Sequence, residues 1–176
     1  VRRVLVSARS RVPSGETAPL EVEGYRWSAD GSKLLVFTNT ERVWRDNTRG
    51  DYWVLDRESG NLRKLGGEAP ESTLMFAKFS PEGDRVAYVR QNNLYAEDIE
   101  SGAITQLTTD GSRTTINGTF DWVYEEELGL QDGWRWSPDG ERIAYWQLDA
   151  TGVRDFLLIN NTDSLFSFTI PVQYPK

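Results

Sequence analysis

Cysteine is missing from this chain of 176 residues, and so is histidine. The first absence removes disulfides and thiolate metal sites, and it leaves the compartment open, because a cysteine-free chain suits cytosol or periplasm. The second removes any Ser-His-Asp or Cys-His arrangement and any imidazole-ligated metal. No catalytic centre of that kind, no metal and no cofactor is therefore expected among these residues. Positive charge is scarce too: 20 Lys and Arg stand against 27 Asp and Glu, a net charge of -7. A nucleic-acid binder would carry a basic footprint, so that class is excluded, while a cationic ligand is permitted. No apolar run approaches the ~20 residues of a membrane-spanning helix, and the first residues do not read as a signal peptide. Val1 is not an initiator Met, so the chain is expected to be excised from a longer one.

What is present is enough apolar material for a core: 38% hydrophobic and 12% aromatic residues, with seven each of Trp, Tyr and Phe. Much of it recurs in phase. Trp27-Ser28-Ala29-Asp30-Gly31 followed by Leu34-Leu35-Val36 returns as Phe79-Ser80-Pro81-Glu82-Gly83 with Val86-Ala87-Tyr88, and as Trp136-Ser137-Pro138-Asp139-Gly140 with Ile143-Ala144-Tyr145. The periods are 52 and 57 residues, long enough for a four-stranded propeller blade with loops. In each copy an aromatic closes one strand, a Ser-x-x-Gly turn reverses the chain, and an apolar run opens the next strand. A second motif keeps step with the first: Asp56-Arg57-Glu58-Ser59-Gly60 matches Asp98-Ile99-Glu100-Ser101-Gly102, as a hairpin joining a third strand to a fourth.

The fold class read from these repeats is all-β: a β-propeller segment of three to four four-stranded antiparallel blades, at about 24–67, 73–108 and 133–172. Val4-Leu5-Val6-Ser7 is expected as a leftover strand of a preceding unit. Propellers usually close with 4–8 blades, so the segment is expected to be an arc of a larger ring. A β-sandwich with regular turns is the competing architecture, and two motifs recurring together argue against it.

Two connections exceed what a blade needs. Asn39 to Gly50 carries Arg42, Trp44, Arg45 and Arg49; a guanidinium there would suit carbonyl or carboxylate oxygens, or simply stack on Trp44. The other runs from Thr108 to Asp132 and holds Asp121-Trp122-Val123-Tyr124-Glu125-Glu126-Glu127. Three adjacent carboxylates repel one another. Val123 to Leu128 has no Gly or Pro, so one short helix is expected, with Asp121 as its N-cap. On such a helix Glu126 and Glu127 point about 100° apart yet reach a common point off one flank. Together they could take two of the three donors of an ammonium group, such as a peptide's amino terminus. A solvated acidic face is the alternative use of the same residues.

The run Asp121 to Glu127, with Trp134-Arg135-Trp136-Ser137-Pro138-Asp139-Gly140, resembles the N-terminal β-propeller of the dipeptidyl peptidase IV family, in the prolyl oligopeptidase clan. Trp44-Arg45, Ile159 to Leu165 and Pro171-Val172-Gln173-Tyr174-Pro175-Lys176 agree with it, and the similarity covers nearly the whole chain. The resemblance implies an eight-bladed propeller over a C-terminal α/β-hydrolase domain that carries a Ser-Asp-His triad. That domain is absent here, so this segment alone should hydrolyse nothing. By the same resemblance Glu126 and Glu127 bind the protonated amino terminus of the substrate, so that cleavage falls after the second residue, usually Pro or Ala. Arg45 binds the carbonyl between the two released residues. Glu125 is the structural member of the motif, and Tyr124, Trp122, Asp121 and Trp44 support it. Expected partners are a peptide with a free N-terminus, the hydrolase domain of the same protein and, in the full-length protein, a second copy as a homodimer.

Three functions are compatible with this reading: the substrate-binding part of a serine exopeptidase releasing dipeptides, a tripeptidyl peptidase of the same clan, or a non-catalytic propeller scaffold. A periplasmic or secreted, bacterial-type protein is expected. Asn117-Gly118-Thr119 and Asn160-Asn161-Thr162 match glycosylation sequons.

Overall fold

The Ser-x-x-Gly turns organise the strands. In the computed structural model, which describes residues 3–174, Ser28 Oγ donates to Asp30 at 2.6 Å and accepts from the Lys33 amide at 2.9 Å. Ser137 repeats both bonds with Asp139 (2.5 Å) and the Arg142 amide (2.9 Å). In the middle copy Glu82 replaces the aspartate, and Ser80 turns instead to Asp84 at 2.6 Å while still accepting from the Arg85 amide. The glycines of the three turns have φ of 68° to 74°, a region that costs other residues strain.

These turns and the Asp-x-x-Ser-Gly hairpins build two complete antiparallel meanders. The first comprises β1 (Gly24–Trp27), β2 (Lys33–Arg42), β3 (Asn47–Asp56) and β4 (Leu62–Lys64). The second comprises β5 (Leu74–Phe79), β6 (Arg85–Arg90), β7 (Asn93–Asp98) and β8 (Ile104–Gln106). Each strand pairs with the next, as in a propeller blade, and a short β3–β5 pairing (Arg49 with Met75, Gly50 with Leu74) joins the two into one sheet. Gly50 also lets β3 lie close against β2, since a Cβ there would lie 2.5 Å from the Phe37 ring and 2.8 Å from the Thr38 carbonyl. The core lies between units. Leu35, Tyr52, Val54, Leu65, Leu74, Ala77, Val86, Tyr88 and Tyr95 pack the first against the second. Ala87, Val89 and Leu94 of the second pack against Trp134, the first residue of the third.

Three expectations are corrected. Val4 to Ser7 forms no strand; Val4 and Leu5 are exposed, and Val6 packs against Leu34, Val36 and Leu55. Among the described residues no strand pairs with it, so its backbone joins no ladder. Asn39 to Gly50 is mostly not a loop. β2 and β3 run on past the blade, through a bulge near the positive-φ Asn39, to Glu41–Arg49 and Arg42–Asn47 pairs. Only Val43 to Asp46 turns the chain, at the tip of a projecting arm.

The third correction concerns residues 133–172, which do not form one four-stranded sheet among the described residues. β10 (Trp134–Trp136) pairs with β11 (Ile143–Tyr145), while β12 (Gln147–Asp149) pairs with β9 (Thr115–Asn117). β13 (Asp155–Asn160) and β14 (Phe168–Gln173) form a separate hairpin. The cause is a strand shared in halves. The run 143–149 pairs first with β10 and then with β9, and the chain between those partners, 118–133, leaves the sheet and returns. Backbone bonds from Gly118 to Trp146, Trp146 to Gly133 and Gly133 to Gly118 close its neck. Thr119 and Asp132 form a further bridge. Pro175 and Lys176, the end of the last resembling motif, lie outside the described residues.

Asn117 is fully buried at that neck, its amide donating to the Asn92 carbonyl and to Asp110. The first sequon therefore cannot accept a glycan in the folded protein. The described residues contain no helix long and apolar enough to cross a membrane.

Candidate functional site

The excursion 118–133 carries the chain's one described α-helix, α1 (Trp122–Leu128). Asp121 is its N-cap, accepting the Tyr124 amide at 3.0 Å. Gly129 ends it at φ 65°, with its own N–H to Glu125 O and that of Leu130 to Tyr124 O. That is the left-handed stop for which glycine is suited. The helix is seated by aromatics. Phe120 stacks on Tyr124 at 5.5 Å, and Trp122 meets Tyr174 at 4.9 Å. A cavity of about 410 Å³ lies where Trp44 on the arm, Trp122 on the helix and Ile170 on β14 face one another. No guanidinium stacks on Trp44 among the described residues; its carbonyl instead accepts from Arg42 Nε at 2.9 Å.

The arm delivers Arg45 to this helix. Arg45 Nε makes a short ion pair with Glu126 Oε1, and its backbone N–H points to Glu125 Oε1 at 3.5 Å. Glu126 is thereby largely covered, its side chain 9% exposed, whereas that of Arg45 is 73% exposed. Hydrogen bonding to Glu126, and its charge, raise the Arg45 pKa above the usual guanidinium value. Glu125 is held from a second side by Gln131 Nε2 at 3.2 Å, and the same amide donates to Asp46 at 2.7 Å. Glu127 is exposed and makes no ion pair among the described residues.

Arg45, Glu125 and Glu126 are thus brought together across about eighty residues of sequence, and Glu127 is the next residue on the helix. Chemically the group is half-used. Glu126 keeps one oxygen free, Glu127 keeps two, and the terminal nitrogens of Arg45 meet no acceptor among the described residues. An ammonium could bridge Glu126 and Glu127 while Arg45 turns its remaining donors to a carbonyl. At 4 Å each such charge pair is worth roughly 4 kcal/mol near a protein surface, before desolvation. Among the described residues no group of His, Cys, Asp or Glu is placed to hold a metal.

Sequence reasoning missed Gln131, Lys78 and Asp132. Lys78 Nζ binds Asp132 at 2.6 Å and sits 3.7 Å from the Trp134 ring centroid, at the base of the insertion. Lys78 occupies the repeat position also held by Arg26 and Arg135, one residue before each closing aromatic, which is the sequence signal that could have found it.

The chain is 33% identical over 179 residues to a protein of Saccharomyces cerevisiae named dipeptidyl aminopeptidase B, a match covering 98% of this chain and 21% of that one. The crystal structure of Porphyromonas gingivalis dipeptidyl peptidase 4 superposes with a TM-score of 0.84 at 29% identity, over 95% of this chain and 23% of that one. The chain therefore spans about a fifth of the length of these relatives. The family model described as the dipeptidyl peptidase IV N-terminal region matches residues 28–176, and the chain belongs to that family.

Proposed function

We propose that this segment is the substrate-binding propeller portion of a serine exopeptidase that releases dipeptides, with Pro or Ala second, from peptide amino termini. Glu126 and Glu127 bind the substrate ammonium, and Arg45 binds the carbonyl between the two released residues. The observation that carries the reading is the Arg45–Glu126 contact, made between the tip of a projecting arm and a helix on an insertion. Neither element is needed to complete a blade, yet both extend to the same point. An acidic grip at a fixed distance from a nucleophile selects the bond two residues in, by positioning alone. The names of the relatives, dipeptidyl aminopeptidase B and dipeptidyl peptidase 4, support the same reaction. The nucleophile and its histidine belong to a hydrolase domain outside this chain, which itself has no histidine. On the same reading the parent protein works in the periplasm or outside the cell, which fractionation would test.

The test is hydrolysis of Ala-Pro and Ala-Ala-Pro chromogenic substrates by the full-length protein. Glu126→Ala and Glu127→Ala are expected each to lower kcat/KM on Ala-Pro by about 100-fold or more, the cost of leaving a charged hydrogen bond unmade, with unfolding temperature unchanged. Full activity in both variants would discard the assignment, and release of tripeptides would move the protein to the neighbouring activity.

A further inference from the structure

Lys78 is a largely buried cation that the proposed amine grip does not use directly. Its side chain on β5 is 14% exposed. Nζ donates to the Phe76 carbonyl at 3.3 Å and to Asp132 Oδ1 at 2.6 Å, and its remaining side faces the Trp134 ring. Burial pushes its pKa down to about 8; Asp132 opposes that shift, and the charges of Arg135 and Arg26 add to it. Asp132 also receives Arg135 Nη1 at 2.9 Å. Tyr52 on β3 feels both Arg26 and Asp132, its phenol pushed up chiefly by burial. Packing alone would be served by a methionine or leucine, with no ammonium to desolvate. What the ammonium adds is an ionic tie between the middle of the two-blade sheet and Asp132.

Asp132 is where such a tie controls most. The insertion 118–133 joins the sheet through two adjacent backbone segments, paired Gly133 to Gly118 and Thr119 to Asp132. A two-stranded neck fixes position better than it fixes angle. The residue before Asp132 is Gln131, which binds both Asp46 on the arm and Glu125 on α1. Bonded neighbours therefore run from Lys78 through Asp132 and Gln131 to Glu125, with Glu126 next on the helix.

We propose that Lys78 is a positioning residue: acting through Asp132, it sets the angle of the 118–133 insertion and so fixes where Glu126 and Glu127 meet a peptide's ammonium. This rests on the peptidase reading above. The full-length protein and its Lys78→Met, Lys78→Arg and Asp132→Asn variants test it by two rates. One is kcat/KM on a free-amine Ala-Pro chromogenic substrate. The other is inactivation by diisopropyl fluorophosphate, which reports the nucleophile and carries no amine.

Lys78→Met is expected to lower kcat/KM about 10- to 100-fold, as misplacement by about 1 Å does, and to leave the inactivation rate within about twofold. Lys78→Arg, which keeps the charge and can stack on Trp134, is expected to restore most of the loss. Should Lys78→Met fail to fold, Asp132→Asn is expected to show the same split. Above pH 8 both the substrate amine and Lys78 lose protons, so kcat/KM should fall more steeply with pH in the wild type than in Lys78→Arg. Parallel losses in both rates, or an unchanged kcat/KM, would overturn the positioning role. A wild type that reacts with the fluorophosphate but does not cleave Ala-Pro overturns the dipeptidyl reading and this inference with it.

Discussion

Arg45 and Glu126 neutralise one another while leaving one Glu126 oxygen and two Arg45 nitrogens without a partner among the described residues. Arg45 brings one nitrogen to Glu126 and keeps the planar fork of its other two for an acceptor. Replacing it by methionine leaves Glu126 a largely covered carboxylate without its partner, and kcat/KM on free-amine dipeptide substrates should fall at least tenfold. Arg45→Lys should recover only part, because an ammonium cannot serve Glu126 and a carbonyl in one plane. Steady-state kinetics on the full-length protein checks both. Asp121 works on the helix rather than on the ligand. Asp121→Ala removes the cap on the Tyr124 amide, and about 1 kcal/mol of stability should go with it, read as a shift in denaturant midpoint. The turn aspartates are among the groups that contribute to acid sensitivity. Asp30 and Asp139 are held below the ordinary carboxylate range by serine hydroxyls and backbone N–H groups. Because the folded pKa is the lower one, their contribution is present above the unfolded value near 4 and lost as pH falls through the folded values. Asp139→Asn should therefore flatten the loss of stability between about pH 4 and pH 2, measured by chemical denaturation across that range.

At the scale of elements, the proposed amine grip depends on two departures from the blade pattern: an arm that lengthens a hairpin and an insertion that splits a strand. The neck of the insertion is tight. A Cβ on Gly133 would sit 3.1 Å from the Gly118 carbonyl carbon and 3.2 Å from the Phe120 ring, so Gly133→Ala should cost about 1–3 kcal/mol and weaken substrate binding as α1 tilts. Thermal melts together with KM would show both effects. The short helix and its cap could be read from Asp121 and the unbroken run to Leu128, since capping and propensity are local. The arm could not. Asn39, Thr40, Asn47 and Thr48 read as loop chemistry, and the pairing of Glu41 with Arg49 and of Arg42 with Asn47 across the hairpin shows that they extend a strand. Nor could the neck, whose two glycines are fifteen residues apart in sequence and touch only in three dimensions. The pairing of Lys78 with Asp132 was hidden for the same reason: the two residues are 54 apart in sequence and meet only in the fold.

The molecule as a whole is two finished blades succeeded by strands with few partners. The first two units were legible because each carries its own turn, hairpin and apolar alternation. The third carries the same turn, yet its strands pair in twos, because the insertion takes up half of one strand's partner. β13 and β14 leave Phe156, Leu157, Leu158, Ile159, Phe168 and Ile170 exposed. An apolar hairpin with open edges invites association. Residues 1–176 expressed alone should self-associate with concentration in light scattering; a monomer that melts cooperatively would show that these strands need no cover.

The central claim is that adjacent carboxylates on α1 read a free amino terminus. It is tested most directly by competitive inhibition of the full-length protein with Ala-Pro and with N-acetyl-Ala-Pro. Acetylation removes the positive charge and two of the three N–H donors, and adds a neutral acetyl group. The free dipeptide should bind at least tenfold more tightly to the wild type, and the Glu126→Gln, Glu127→Gln double variant should bind both alike. Equal inhibition of the wild type by the two compounds, or a preference that survives the double substitution, would contradict it.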